Sequence, residues 1–299
     1  MKKFVIVSDS CCDLNRELRE KYDVDYIFMH YNFDGKEYEA DLDYRDFSIK
    51  EFYDLMRNGK RIKTAEVNSA QYREAFEKYI KDGYDILSIS CSSALSHSVV
   101  ESYTVRDELL KIYPESKIIC IDSLNSCMGL GLLCIIASEL RAEGKTIEQT
   151  AEWLEQNKLC INQECTVDSL KYLKQAGRVS ASSAFFGGLL SVKPIIISDV
   201  KGNNAAIEKV KGRKTSIAKL VERFKDEYVD NEYQKVFVVH ADSPDDGKLL
   251  KQEVEKALEG KNVEVVGGHI GPTIGGSAGP GTLAIYFYGK KVTFDSTQK

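Results

Sequence analysis

Three short apolar runs in the first half of the chain, each followed by a helix-forming segment, constrain the fold more than any other feature. Phe4 to Val7, Tyr84 to Ser90 and Lys117 to Ile121 have the length and residue types of buried strands. A polar helix opening at Asp13-Leu14 and running to about Lys21 follows the first. A helix toward Ile112 follows the second, and a long helix through Glu143, ended by Gly144, follows the third. Strand and helix alternating in this way predict a parallel sheet covered on both faces. After a helix through Trp153 the pattern changes. Pro194–Val200 and Ala205–Val210 flank a Lys-Gly-Asn-Asn turn and read as a hairpin. A helix, the strand Lys235–His240, a helix from Asp246 to Glu259, and strands near Val263 and Leu283 complete a mixed sheet. The fold class is α/β. We expect an N-terminal three-layer α/β/α domain over 1–158 and a C-terminal two-layer mixed-sheet domain over 159–299.

Composition narrows the function. Hydrophobic residues make up 43% and charged residues 29% of the 299 positions, with a net charge of −5. That balance leaves no basic footprint for nucleic acid. The longest uncharged apolar stretch, Met128–Ala137, is too short to span a bilayer, and MKKFVIVSDS has too brief an apolar run for a secretory signal. We therefore expect a cytoplasmic protein without a transmembrane segment. The eight cysteines include no C-x-x-C pair and no histidine at zinc-ligand spacing, so free thiols and no metal are expected. Nor is there a Walker lysine frame, a G-x-G-x-x-G after a strand, or a carboxylate cluster suited to magnesium.

Two features point toward a ligand. The predicted parallel strands end in Ser8-Asp9-Ser10, Ser90 to Ser96, and Asp122 to Ser126. Ligands of open parallel sheets bind outside the strands' carboxyl ends, where helix N-termini and hydroxyls offer donors. The bland reading of each loop is N-capping alone. Three such loops on one edge predict a small anionic group. The second feature is the segment GGHIGPTIGGSAGPG, Gly267–Gly281, which holds 7 of the chain's 21 glycines. We read it as a loop made for close backbone approach. Its Gly275-Gly276-Ser277-Ala278-Gly279 matches the G-x-S-x-G nucleophile elbow. However, a strand rather than a helix follows, and no histidine lies beyond Ser277.

At this point the sequence resembles the DegV proteins, bacterial fatty-acid-binding proteins, over essentially its whole length. The resemblance rests on VSDSCCDL near the start, Lys63-Thr64-Ala65-Glu66-Val67-Asn68, Ser92–Ser98, and Asp122-Ser123 with Met128–Gly131. It continues through Leu170–Leu173 with Ala176-Gly177-Arg178-Val179-Ser180, Val192-Lys193-Pro194, Lys209–Gly212 and the glycine segment. It implies two domains with a long-chain fatty acid between them, no cofactor and no catalytic centre. By the same resemblance Thr64 and Ser96 bind the carboxylate, with Ser93 as a neighbour and Arg178 as a charge partner. A surface or capping role for Arg178 stays open. The partner it implies is a fatty acid kinase, to which the acid is presented for acyl-phosphate formation, feeding phospholipid synthesis.

Such a ligand makes two demands. Burying roughly fourteen methylenes is worth about 11 kcal/mol gross, and the carboxylate needs donors. Phe185–Leu190, with Ile27, Phe28 and Met29, is the candidate tail lining. The fifth expected ligand-binding residue is Ser277, at which the chain departs from the family pattern, since a histidine is usual there. The chain also departs at Glu66-Val67-Asn68 for Q-P-S and at His97-Ser98-Val99 for G-T-Y. His97 is the candidate to replace the lost histidine. Two other classes stay open: a phosphotransferase or small-carbonyl enzyme related to dihydroxyacetone kinase, and a binder of another anionic amphiphile.

Overall fold

The structure, a computed structural model, describes residues 3–180 and 192–298. The candidate lining Phe185–Leu190 lies outside the described residues. The chain opens with β1 (Phe4–Asp9), a 3-10 turn at Ser10–Cys12 and α1 (Arg16–Tyr22). The helix thus starts later than Asp13, because Asn15 is its cap and accepts the Leu18 N–H at 2.9 Å. Next come β2 (Val24–Ile27), β3 (His30–Phe33), β4 (Lys36–Glu39), α2 (Ile49–Arg57), β5 (Lys63–Ala65), α3 (Ser69–Lys81) and β6 (Asp85–Ser90). The helix α4 (Ser98–Ile112), β7 (Ile118–Asp122), α5 (Cys127–Ala142) and α6 (Ile147–Asn157) follow. Strands β2, β1, β6 and β7 form a parallel sheet in that order, with helices over it. All six residues of β6 are buried, as a strand covered on both faces requires.

Residues 30–65 add a small antiparallel sheet, β4-β3-β5, that periodicity alone does not reveal. Phe33 pairs with Lys36 across Asp34-Gly35, both with positive φ, which is the two-residue turn that Asp-Gly favours. On the face of this sheet Tyr38 stacks on both Tyr31 and Phe33, and Tyr31 meets Phe52 of α2 edge to face.

The second half supplies β8 (Ile161–Thr166), α7 (Leu170–Ala176), β9 (Val192–Ser198), β10 (Asn204–Lys211), α8 (Arg213–Glu227), β11 (Val236–His240), α9 (Pro244–Ala257), β12 (Val265–His269), α10 (Pro272–Ala278) and β13 (Leu283–Tyr288). The strands form one mixed sheet, β10-β9-β8-β13-β11-β12, in which only β11 and β12 run parallel. Helices α8 and α9 cover one face, burying Leu220, Phe224 and Leu250 against Ile195, Val238 and Phe287. The opposite face meets α5, which also touches β1 and β6 of the parallel sheet.

Helix α5 therefore sits between the two sheets, and thirteen of its residues, from Cys127 through Leu140, are buried. A helix apolar all round is stable in water only when enclosed. Enclosure by two sheets is what the uncharged run Met128–Ala137 serves. Among the described residues, no helix is long and apolar enough to cross a membrane. The glycine segment is not one loop, as the sequence suggested. Its first residues complete β12, and Pro272–Ala278 form α10, with Pro272 at the helix start, where its missing N–H costs nothing.

Candidate functional site

Between the parallel sheet, the small sheet and the mixed sheet lies a cavity of about 330 Å³. That is at the small end of the range of about 300–1,000 Å³ usual for ligand pockets. The loops after β1, β6 and β7 supply Cys11, Cys91, Ser96 and Ser126 to its lining, so it does open at the carboxyl edge of the parallel strands. Strand β5 contributes Thr64, and α10 contributes Thr273, Ile274 and Ser277. Met29, Leu95, Val167, Leu173, Ile196 and Ile270 are apolar wall.

Four of the five expected site residues, Thr64, Ser96, Arg178 and Ser277, line this one cavity. Ser93 does not. Its side chain is exposed, and its N–H donates to Asp122 Oδ1 at 3.1 Å. Of the three expected tail residues outside 185–190, Met29 reaches the cavity. Ile27 is buried in the core beneath, and Phe28 packs edge-on against Tyr26. His97 is exposed at the start of α4 and is not part of the lining, so it does not replace the missing histidine.

The loop hydroxyls divide between two tasks. Ser10 Oγ accepts the Met29 N–H at 2.9 Å, Ser92 Oγ donates to the Gly202 carbonyl, and Ser123 Oγ donates to the Asn125 carbonyl. These three hydroxyls hold the loops in shape, while the same loops contribute Cys11, Cys91, Ser96 and Ser126 to the cavity. Asp9 is also structural. Its two oxygens accept the Cys11 and Cys91 N–H groups at 2.9 and 2.8 Å, and burial pushes its carboxyl up to about 6.

Ser96 is prepared differently. The Val67 N–H donates to Ser98 Oγ at 3.1 Å, and the Ser98 and Ser96 hydroxyls stand 2.9 Å apart. Ser98 can pass its proton to Ser96 Oγ, which leaves the Ser96 proton for an acceptor in the cavity. Among the described residues, the Thr64 and Ser277 hydroxyls have no protein partner. Thr273 Oγ1 is buried with none, although helical threonines usually bond back to a carbonyl. The sequence marks Ser126 only as the end of the third hydroxyl-bearing loop, and Thr273 only as a member of the glycine segment.

Charge in the lining is sparse. Arg178 donates from Nε to the Leu95 carbonyl and from Nη1 to the Ala176 carbonyl at 3.1 Å, and Nη2 has no partner among the described residues. Glu66 is the one acid, and its Oε2 accepts the His97 N–H at 3.3 Å.

Helix α10 runs close enough to α2 that only glycine fits. A Cβ at Gly275 would stand 2.1 Å from Tyr53 Oη, which donates to the Ile270 carbonyl at 2.8 Å. The elbow reading of Ser277 fails on geometry as well. Ser277 sits within α10, while His240 and His269 line a separate crevice. Among the described residues, no group of three or more His, Cys, Asp or Glu could hold a metal ion.

Fold and cavity together define a two-domain α/β protein with a small-molecule cavity between its sheets. The chain belongs to the DegV family, described as uncharacterised proteins, whose pattern it matches over residues 3–290. It is 37% identical over 289 residues to a DegV domain-containing protein of Clostridium perfringens, covering 97% of this chain and 98% of that one. Among solved structures, it is similar to a stearic-acid-binding protein from Eubacterium ventriosum, with 26% identity, a TM-score of 0.83, and coverage of 96% and 99% of the two chains. A fatty-acid-binding DegV family protein from Thermus thermophilus shares the fold at 23% identity and a TM-score of 0.84, covering 97% of this chain and all of the other.

Proposed function

We propose that this protein binds a long-chain fatty acid in the interdomain cavity and presents its carboxylate to a separate kinase for acyl-phosphate formation. In this reading it is a cytoplasmic carrier with no catalytic centre of its own, divided into domains near residue 158. The observation that carries the proposal is the cavity's two-sided chemistry. Apolar walls suit a tail, and unpartnered hydroxyls at Thr64, Ser277 and Thr273, with the primed Ser96, suit an acid head. Of the three unpartnered hydroxyls only that of Thr273 is buried, where a hydroxyl without a partner is costly; Thr64 is exposed and Ser277 half-buried, and all three can donate to a carboxylate acceptor. The named binding properties of the similar structures support the same ligand class.

Native mass spectrometry of the purified protein, with lipid extraction, tests the proposal. A copurified acid of defined chain length is the expected result. A protein that is empty and takes up no fatty acid would overturn it. Adding the acid-loaded protein to a fatty acid kinase and ATP, and looking for acyl phosphate, tests the presentation step separately.

A further inference from the structure

Beside the polar end of the cavity is a smaller recess of about 140 Å³ that shares Thr64, Arg178 and Ser277 with it. Arg61 and Lys63 also line this recess. We propose that the recess is a separate oxyanion subsite, shaped for a phosphoryl-type dianion at the head of the bound amphiphile. This rests on the reading that an amphiphile's tail fills the cavity.

The distribution of arginine partners carries the argument. Every other arginine of the chain stands within ion-pair distance of a carboxylate: Arg16, Arg19 and Arg45 near the N-terminus, Arg57, Arg73, Arg106 and Arg141 on helices, and Arg213 and Arg223 on α8. Among the described residues, Arg61 and Arg178 alone have no carboxylate, and both line the one recess. Each is held by backbone carbonyls instead. Arg61 Nη2 donates to the Gln175 carbonyl at 3.2 Å, and Arg178 is held by Leu95 and Ala176 as described. Lys63, the third cation, also has no carboxylate partner among the described residues. Lys60 on the rim is already paired with Asp34.

Three uncompensated cations around one hollow repel one another, and in a chain of net charge −5 they could readily have been paired. Guanidinium groups anchored through one or two N–H groups, with the others unpartnered among the described residues, match the planar, bidentate recognition of oxyanions. One ligand carboxylate would leave a surplus of positive charge. A phosphoryl group, carrying about −1.5 to −2 near neutral pH, balances it better. Glu66, the acid of the main cavity, does not line the recess, so no fixed negative charge opposes a dianion there. At about 140 Å³ the recess is well above the roughly 10–15 Å³ that one water needs, so it has room for a group of five heavy atoms.

The test compares ligands with one tail and different heads. Delipidated protein is titrated with dodecanoate, with dodecyl phosphate, and with inorganic phosphate in the presence of saturating dodecanoate. The variant is the double substitution Arg61→Gln with Lys63→Gln. Both positions are exposed, and retained dodecanoate binding shows that the variant is folded. We expect dodecyl phosphate to lose at least tenfold in affinity while dodecanoate changes less than threefold. Inorganic phosphate that binds the loaded protein and is lost in the variant would support the subsite and identify free phosphate as its occupant. Equal losses for both amphiphiles, or no loss for either, would overturn it. Wild-type protein that binds phosphate through Arg61 and Lys63 but takes up no dodecanoate would sink the fatty-acid reading and leave the subsite standing.

Discussion

Two hollows lie along the seam between the two halves of the molecule, and both touch the glycine segment. The cavity of about 330 Å³ runs along Thr273, Ile274 and Ser277. The other, a crevice of about 760 Å³, meets the helix cap at Gly271 and is lined by Asp13, Asp43, Lys248, Lys251 and the edge-to-face pair His240 and His269. The crevice is larger, but its only buried side chain without a normal hydrogen bond among the described residues is the acceptor-type carboxyl of Asp13, and its other charged groups have partners of their own or face solvent. Asp43, for example, is held by Arg16 and Arg19, which keep its carboxyl below the ordinary range despite the opposing effect of partial burial. The cavity is smaller, has apolar walls, and keeps hydroxyls without partners. Volume alone favours the crevice. Unmet donor capacity inside an apolar surround favours the cavity as the place for an acid.

The most severe test of this contrast removes the donors. Thr64→Ala combined with Ser96→Ala deletes two hydrogen bonds to a charged acceptor, each worth about 1.5–3 kcal/mol. Fatty-acid affinity should fall on the order of a hundredfold, as read by calorimetry or displacement of a fluorescent acid. The matched change in the crevice, His269→Ala, should leave affinity within about twofold by the same principle of local contact. If the crevice variant proves the more damaging, the assignment of the two hollows is reversed.

How far the sequence reveals these regions depends on what holds them together. Strands β1, β6 and β7 announce themselves as apolar runs because burial on both faces demands nothing but apolar side chains. Strand β5, which carries Thr64, has three exposed residues and no period to detect, so only the motif resemblance points to it. The β3–β4 hairpin did carry a readable signal in Asp34-Gly35, flanked by Asn32-Phe33 and Lys36-Glu37. The lesson there is to weigh an Asp-Gly turn above weak alternation. Helix α10 is the opposite case. A helix with two adjacent glycines has poor intrinsic propensity, and it forms because its faces are held by Tyr53, Ile62 and Tyr172. Nothing local could have foretold it.

That dependence on neighbours predicts the next effect. Gly275→Ala pushes a methyl into Tyr53, which is fully buried and cannot swing away without breaking its hydrogen bond to the Ile270 carbonyl. Overpacking of this kind costs about 1–3 kcal/mol. A lower midpoint in urea denaturation, with weaker fatty-acid binding because α10 is displaced, is the expected outcome. An unchanged midpoint would mean that α10 is not clamped against α2.

Asp13 joins the two regions, since it lies at the crevice and touches the Gly271 cap of α10. Neither of its oxygens makes a hydrogen bond of normal geometry. Burial pushes its carboxyl up to about 7, only partly opposed by the nearby Cys127 thiol and Gly271 N–H. A carboxyl raised in the folded state keeps its proton there while the unfolded chain releases it. Its contribution is therefore complete below about pH 4 and is lost as pH rises through about 7. Asp13→Asn, which tolerates the left-handed backbone at this position, should be more stable than the parent at pH 8 by on the order of 1–2 kcal/mol. The difference between the two should close toward pH 4 in denaturation series. A constant difference across pH would show that Asp13 is not the titrating group.

The smallest effect concerns what remains charged in the cavity. Glu66 lines the same cavity as Ser96, held by the His97 N–H, and its carboxylate would repel an acid bound as proposed without blocking it. Glu66→Gln keeps an oxygen for the His97 N–H and removes the charge. Because the Glu66 side chain is exposed, water screens the repulsion, and the gain should be no more than about 1 kcal/mol, or about fivefold in affinity. The gain should shrink as salt is raised, because screening at higher ionic strength already hides the carboxylate from the ligand. Tighter binding at low salt that converges with the parent at high salt would place the ligand's negative end next to Glu66. It would thereby fix which way the acid lies in the cavity. An unchanged or weaker affinity at low salt would put the head group at the far end, away from Thr64 and Arg178, and would reverse the orientation on which the cavity and its recess are read.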